Sequence, residues 1–231
     1  KFTPYSSKAE KYARYRWRYS GQAVQMIIEI AHITPESTIA DLGAGTGILT
    51  RPFASKVNRI YAVEPDPVMR QILIRDLAQF SSVLAVDGVA EATSLPRHSI
   101  DLVTAAQSLH WFEPEETRRE VLRILKPGGW LAVLSNHGTD ENLNIALNQI
   151  LTPENGVAAG HAAPKPKPQP LSFFYGHDRF IQQDFPFSLQ ETWEEFLGSQ
   201  LSASFTPDEN HPSFVKFERA AREVFNQFCS R

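Results

Sequence analysis

Residues 39–50 read IADLGAGTGILT: an apolar run ends in Asp41 and then meets glycine at every second position, at Gly43, Gly45 and Gly47. Glycine lets a backbone approach a ligand without interference from Cβ, and a loop leaving the carboxyl end of a parallel strand lies where open α/β sheets bind ligands. The spacing narrows the choice of ligand. A dinucleotide fingerprint, G-x-G-x-x-G/A, fails at its last position, where Ile48 puts a branched side chain in place of a small one. A phosphate-cradling G-x-x-x-x-G-K-[ST] loop fails more completely, because Gly47 is followed by Ile48 and Leu49. What remains is acid-x-Gly-x-Gly-x-Gly, with a second acid, Glu64, 17 residues beyond Gly47 in the stretch YAVEPD.

Other side chains able to do chemistry follow the apolar run 100–106: Gln107, His110 and Trp111. A histidine titrates near working pH, so His110 suits a general base, or equally a residue that fixes its loop through a backbone hydrogen bond. Trp111 offers either a packed aromatic or a face for a cation, the latter worth about 0.5–2 kcal/mol. Tyr12, Arg16 and Tyr19 lie in an aromatic and basic segment, YARYRWRY, that is too polar for a core. The seven histidines show no H-x-x-x-H spacing and Cys229 is the single cysteine, so no metal site is expected.

Positioning these groups is a task for the elements around them. Short β-branched and apolar runs at 38–42, 59–64, 83–86, 100–106 and 130–135 read as strands. Helical patterns alternate with them: residues 65–80 place Met69, Ile72, Leu73, Leu77 and Phe80 on one face, and 114–126 do likewise with Val121, Leu122 and Leu125. Pro127, Gly128 and Gly129 are expected to stop the second helix and turn the chain into the fifth strand. Alternating β and α predicts an α/β fold with a doubly wound, mostly parallel sheet and helices on both faces. A further helix is expected over 21–33, and others over 191–201 and 212–228, the last with Phe214, Phe217, Ala221, Val224, Phe225 and Phe228 along one stripe facing a core. Residues 158–170 alternate proline with lysine and glutamine and read as an extended excursion, and 179–189 read as one more strand without a partner.

At 231 residues and 42% hydrophobic content the chain can bury a full core, and one domain is expected, with segments 1–36, 37–136 and 137–231 serving as N-terminal cap, α/β core and acceptor or lid region. A formal charge of -3 supplies no global basic field, so nucleic acid is not an expected partner. No apolar run approaches the roughly 18 residues of a membrane span, and no membrane partner is expected. A single cysteine suits a reducing compartment, with cytoplasm the default. Monomer and homodimer both stay open.

The acid and glycine loop, together with four later stretches, resembles the class I S-adenosylmethionine-dependent methyltransferases, in the small-molecule branch often called type 11. The later stretches are YAVEPDPVMRQ, VDGVAEATSLP, IDLVTAAQSLHWF and EVLRILKPGGWLAVL, and YARYRWRY resembles that branch's N-terminal segment, so the likeness runs over roughly residues 12–136. The resemblance implies a Rossmann-like methyltransferase fold with a helical lid inserted after strand five. It implies S-adenosylmethionine as cofactor, S-adenosylhomocysteine as product, and transfer of a methyl group to an O, N, S or C nucleophile of a small-molecule acceptor. Carried over residue by residue, Glu64 takes both ribose hydroxyls, with Pro65 beside it, and Gly43, Gly45 and Gly47 approach the methionine half. Loop carbonyls and Asp41 suit the ammonium, while Arg16 or nearby N–H groups suit the carboxylate. Gly88, Val89 and Ala90 line the purine pocket, but Val89 stands where the family commonly has an acid, so backbone, Glu91 or water must meet the adenine amine. Tyr12, Gln107 and Trp111 join the cofactor contacts, and His110 and Tyr19 are the candidates for catalysis. Phe173, Phe174, Tyr175, Trp193, Phe196 and Phe205 either roof an acceptor pocket or form the core of an added subdomain. A cofactor-binding protein without catalysis, and more remotely a nicotinamide-dependent oxidoreductase, are the alternatives.

Overall fold

A computed structural model describes residues 6–155, 157, 169–176 and 180–229. By contact the chain divides into two units, and each is described by itself.

The sheet unit comprises the described residues of Arg18–Ser135 and Pro164–Phe187. Its strands are β1 (Thr38–Leu42), β2 (Arg59–Val63), β3 (Val83–Val86), β4 (Ile100–Ala106) and β5 (Leu125–Leu134), all paired in parallel in the order β3-β2-β1-β4-β5. Strands buried on both faces need apolar side chains in both phases, and the two phases go to different places. Ala40 and Leu42 of β1, Val63 of β2 and Val103 of β4 join one cluster with Val121 and Ile124 of helix α5 (Pro114–Ile124). Ile39, Ile60 and Leu102 face the other way and pack with Val24 of α2 (Gly21–Ile30) and with Phe53 of α3 (Thr50–Ala54). Full burial of a side chain such as Phe53 contributes about 1.5–3 kcal/mol. The strand order reverses between β1 and β4, and the carboxyl ends of strands at such a switch are where open α/β sheets bind ligands.

Helix α4 (Pro67–Asp76) begins where the chain dictates: Pro67 sits at its first turn, and the Asp66 side chain accepts hydrogen bonds from the N–H groups of Val68 and Met69. Beyond α5 the expected turn is not a separate element. The chain passes from Ile124 straight into β5, pairing Leu125 with Ile100 and then Trp130 with Leu102, so residues 126–129 bulge out. Gly128 takes a φ of 80° there, and Lys126 Nζ holds the bulge by donating to both Asp101 carboxylate oxygens at 2.8 Å. A Cβ on Gly129 would meet the Lys126 and Asp101 carbonyl oxygens at 3.0 and 3.1 Å, which is why two glycines stand together. A short helix, α7 (Leu171–Tyr175), lies near α5, where Arg118 Nε donates to the Phe173 carbonyl at 2.8 Å.

Residues 180–189 form no strand, and Pro186 lacks the N–H a ladder needs. The extended excursion over 158–170 falls, apart from residues 169 and 170, outside the described residues.

The helical unit comprises the described residues of Lys1–Trp17, Asn136–Ala163 and Ser188–Arg231. It contains α1 (Ala9–Tyr15), α6 (Glu141–Ile150), α8 (Trp193–Leu201) and α9 (Phe214–Phe228). The α9 stripe is core as expected: Phe217, Ala221 and Val224 are buried with Ile150, Phe196 and Leu201, and Phe214, Phe225 and Phe228 pack around them. Thr192 and Glu195 close a capping box at the start of α8. Trp193 and Phe196 belong to this core, with the Arg222 guanidinium 3.6 Å from the Trp193 ring centroid. Phe173, Phe174 and Tyr175 instead belong to α7 of the sheet unit, so the six aromatics expected either to roof a pocket or to form one added core are split between units. Helix α1 packs on α8 where Gly198 leaves room for the Tyr15 ring, and Tyr15 and Arg14 both donate to Glu194 Oε1 at 2.8 Å.

Candidate functional site

All three glycines of the loop after β1 have positive φ: 66° at Gly43, 58° at Gly45 and 84° at Gly47. An L side chain in this region costs about 1–2 kcal/mol. Packing adds its own demand. A Cβ on Gly43 would lie 2.8 Å from Ser108 Cβ and 3.1 Å from the Phe112 ring, and one on Gly47 would lie 2.8 Å from Leu77 and 3.2 Å from Leu73. The close approach that a dinucleotide fold gives to its third glycine is thus met by Gly47 against α4, and Ile48 is free to be branched. The N–H groups of Gly43 and Ala44 both donate to the Val63 carbonyl, at 2.9 and 3.1 Å, which ties the loop to the end of β2.

Glu64, the first residue past β2, is 7% exposed. Its Oε2 accepts from the Gly45 N–H and its Oε1 from the Asp66 N–H, both at 2.8 Å. Burial pushes this carboxyl up; the two backbone donors pull it down, Asp66 raises it and Arg70 lowers it. A carboxylate has about four lone-pair sites, so each oxygen keeps one after these bonds. Asp66, the other acid of the stretch, is committed to capping α4. Pro65 is exposed beside Glu64.

Asp41, expected to suit the ammonium, is engaged by two threonines. Its Oδ2 accepts from the Thr50 hydroxyl at 2.6 Å and its Oδ1 from the Thr104 hydroxyl at 2.8 Å, and the residue is 2% exposed. Burial pushes its carboxyl up to about 6, against the pull of the two threonines. Asp41 fastens β1 to β4 and to the start of α3.

At the end of β3, Val89 bridges Ala92 in a tight reversal, and Gly88 lies against Val63, where a Cβ would come within 3.2 Å. The Ala90 side chain is buried in the core cluster under α5, so only its backbone is left for a purine. Glu91 Oε1 accepts from the Glu113 N–H at 2.7 Å, which fixes it to the start of α5. The loop that follows is clamped by a network the sequence reading did not find. The Thr93 hydroxyl and N–H both donate to Glu120 Oε1, at 2.5 and 2.9 Å, while Arg123 donates to both Glu120 oxygens and to the Leu95 carbonyl. Burial alone would raise the Glu120 carboxyl, but Arg123 and Thr93 outweigh it and hold it down at about 2. The only signal in the chain was an acid and an arginine three apart on α5.

Beyond β4, Gln107 is exposed and takes a φ of 52°, an uncommon conformation for a residue with a side chain. The Ser108 hydroxyl donates to the Leu42 carbonyl at 3.0 Å, joining this segment to the loop after β1. A 3₁₀ turn, Leu109–Trp111, then presents His110 to solvent, its ring 5.2 Å from that of Trp111, which itself packs against the core. Tyr19 is half-buried against the α2 and α3 cluster. Tyr12 and Arg16 belong to the helical unit, where the Arg16 guanidinium lies 5.2 Å from the Tyr12 ring centroid and Arg16 Nε is buried without a hydrogen-bond partner among the described residues. Gly43, Gly45, Gly47, Glu64 and Gly88 therefore gather within the sheet unit at the strands' carboxyl edge, with Gln107 and His110 following β4.

This arrangement defines a doubly wound α/β protein whose glycine loop and acid lie at the strands' carboxyl edge beside a strand-order switch. Residues 40–133 match the family model described as Methyltransferase domain. An uncharacterized methyltransferase of Mycobacterium tuberculosis is 35% identical over 132 residues, which cover 57% of this chain and 51% of the relative. An uncharacterized methyltransferase of Schizosaccharomyces pombe is 38% identical over 119 residues, covering 51% of this chain and 46% of the relative. The chain spans about half the length of these curated relatives. The solved structure of a candidate type II methyltransferase from Anaeromyxobacter dehalogenans shares the fold, with a TM-score of 0.57 at 19% identity, over 94% of this chain and 92% of that one. Among the described residues no helix is long and apolar enough to cross a membrane.

Proposed function

We propose that this chain binds S-adenosylmethionine at the strands' carboxyl edge beside β1 and transfers its methyl group to a small-molecule nucleophile. The observation that carries the reading is the setting of Glu64: a buried carboxylate, fixed by the Gly45 and Asp66 N–H groups, that retains one lone pair on each oxygen. A vicinal diol presents two donors, and such a carboxylate accepts both. Thr46 supports the fit, since its buried hydroxyl has no partner among the described residues and lies in the same loop.

Gly43, Gly45 and Gly47 would leave the backbone open to the methionine half, Gly88, Val89 and the Ala90 backbone would meet the base, and Glu91, held at one oxygen by Glu113, keeps the other for the adenine amine. Pro65, Gln107 and Trp111 would complete the contacts, and His110 and Tyr19 remain the candidates for proton transfer. When bound, the cofactor supplies a methyl carbon activated by a sulfonium; the acceptor's lone pair forms the new bond while sulfur keeps the electrons of the broken one, and any acceptor proton passes to a base or water. The protein's part is to place the nucleophile about 3–3.5 Å from that carbon, an ordering effect with effective molarities of about 10⁵ to 10⁸ M. A base at His110, exposed on its 3₁₀ turn, would serve an acceptor that must lose a proton and be superfluous for a thiolate. The low cysteine content fits action in a reducing compartment such as the cytoplasm.

Calorimetric titration with S-adenosylhomocysteine and, separately, NADH tests the cofactor. Binding of the first alone supports the reading; binding of NADH alone replaces it. Release of S-adenosylhomocysteine across acceptor libraries then separates an enzyme from a protein that only binds the nucleoside.

A further inference from the structure

Glu64 and Asp87 are the first residues past the paired ends of β2 and β3, whose last matched pair is Val63 and Val86. One side chain spans them. Arg70, one turn into α4, donates from Nη1 to the Glu64 carbonyl oxygen at 2.6 Å, and its Nη2 lies 3.1 Å from Asp87 Oδ2. Its side chain is 17% exposed against 74% for Asp87, so the guanidinium is covered while the far carboxylate stays wet. A planar guanidinium presents donors at a fixed spread and can hold two acceptors at one separation; an ammonium on a flexible stem cannot. The two acceptors here belong to the two strand ends that the nucleoside reading uses, Glu64 for the sugar and residues 88–91 for the base.

We propose that Arg70 is a positioning residue for the nucleoside, bridging Glu64 and Asp87 so that the sugar-binding carboxylate and the base-binding loop stay at the separation one ribosyl purine requires. The inference rests on the S-adenosylmethionine reading. It has an electrostatic side as well. The charged groups facing the Glu64 carboxylate are Asp66, which opposes its ionisation, and Arg70, which favours it; Asp87 lies beyond Arg70, and Asp41 is turned onto Thr50 and Thr104. The glycine loop contributes no titratable group. Removing the Arg70 charge leaves burial and Asp66 to push the Glu64 carboxyl further up.

The test is S-adenosylhomocysteine affinity between about pH 5 and pH 8 for the wild type, Arg70→Gln and Arg70→Lys, with thermal unfolding alongside. Arg70→Gln is expected to bind about tenfold more weakly at neutral pH, and to lose its remaining affinity on acidification at a higher pH than the wild type. Arg70→Lys restores the charge, so its pH profile should return toward the wild type while its neutral-pH affinity stays low, because one ammonium cannot hold both strand ends. A purely structural role would lower the unfolding temperature without moving the pH profile. Should Arg70→Gln not fold, Arg70→Lys decides alone: wild-type affinity in that variant overturns the proposal. A folded Arg70→Gln with unchanged affinity and profile overturns it too, and leaves the cofactor reading standing. A wild type that binds no S-adenosylhomocysteine overturns both.

Discussion

The Gly45 N–H donates to Glu64 Oε2 at 2.8 Å, so the middle glycine of the loop after β1 and the acid at the end of β2 are joined before any ligand arrives. With the Asp66 N–H on the other oxygen, the carboxylate has one orientation and its remaining lone pairs one direction. Ordering of this kind, completed during folding, lowers the entropy lost on binding.

Replacing Glu64 by Gln keeps the side chain's shape but sets an amide NH₂ against one of two backbone donors. We expect affinity for S-adenosylhomocysteine to fall by about 1.5–3 kcal/mol and stability by about 1–2 kcal/mol. Calorimetry beside urea unfolding measures both. Unchanged affinity would take Glu64 out of the site.

Two glycines with similar dihedrals should respond differently to alanine. Gly43 has a φ of 66° and Ser108 and Phe112 within 3.1 Å of a new Cβ, whereas Gly128 has a φ of 80° and nothing within 4 Å. Gly128→Ala is expected to cost about 1–2 kcal/mol, from backbone conformation alone. Gly43→Ala adds crowding of about 1–3 kcal/mol. Equal losses in chemical denaturation would show that the loop yields to the extra methyl.

The pH dependence of stability carries a mark of Asp41. Its carboxyl stands at about 6 in the fold against 3.8 ordinarily, so the folded state binds the proton more tightly than the unfolded chain. Stability from this group is greatest below pH 3.8 and declines as pH rises to about 6, by on the order of 3 kcal/mol. Asp41→Asn is neutral throughout, so wild type minus variant, followed by urea midpoints across that window, should fall with rising pH. A flat difference would contradict the burial of this carboxylate as charge.

Glu120 shows the opposite sign. Held at about 2 against 4.5 ordinarily, it stabilises the fold above pH 4.5, and that contribution is lost as pH falls toward 2. Arg123→Met removes the donor to both Glu120 oxygens, so the acid unfolding midpoint should move to higher pH while the alkaline limb stays in place. An unmoved acid midpoint would assign the stabilisation to Thr93 alone.

The sheet was legible because its strands are short β-branched runs between turn residues: Thr38–Leu42, Val83–Val86 and Ile100–Ala106 stand where the pattern puts them. Helix α3 was not, since five residues, Thr50–Ala54, are too few to show a helical period. Asp41 and Glu64 look alike as acids ending apolar runs. What separates them is Thr104, 63 residues from Asp41, whose hydroxyl turns one acid inward. Arg70 and the Thr93–Glu120 clamp escaped for the same reason: each depends on side chains meeting distant elements, and an arginine on a helix gives no sign of what it will reach. The strand expected over 179–189 had no partner in the sequence, and residues 180–189 form none.

The centre of the sheet has a kinetic consequence. Thr104 and Asp41 meet across 63 residues, and among the described residues every strand pair of the sheet is parallel, so none of these neighbouring strands can zip from a hairpin. Chain entropy must be surrendered over long stretches before β1 gains either flank, which places this molecule among slow folders and makes its half-assembled state, with β1 bare, the one most prone to stick to its own kind.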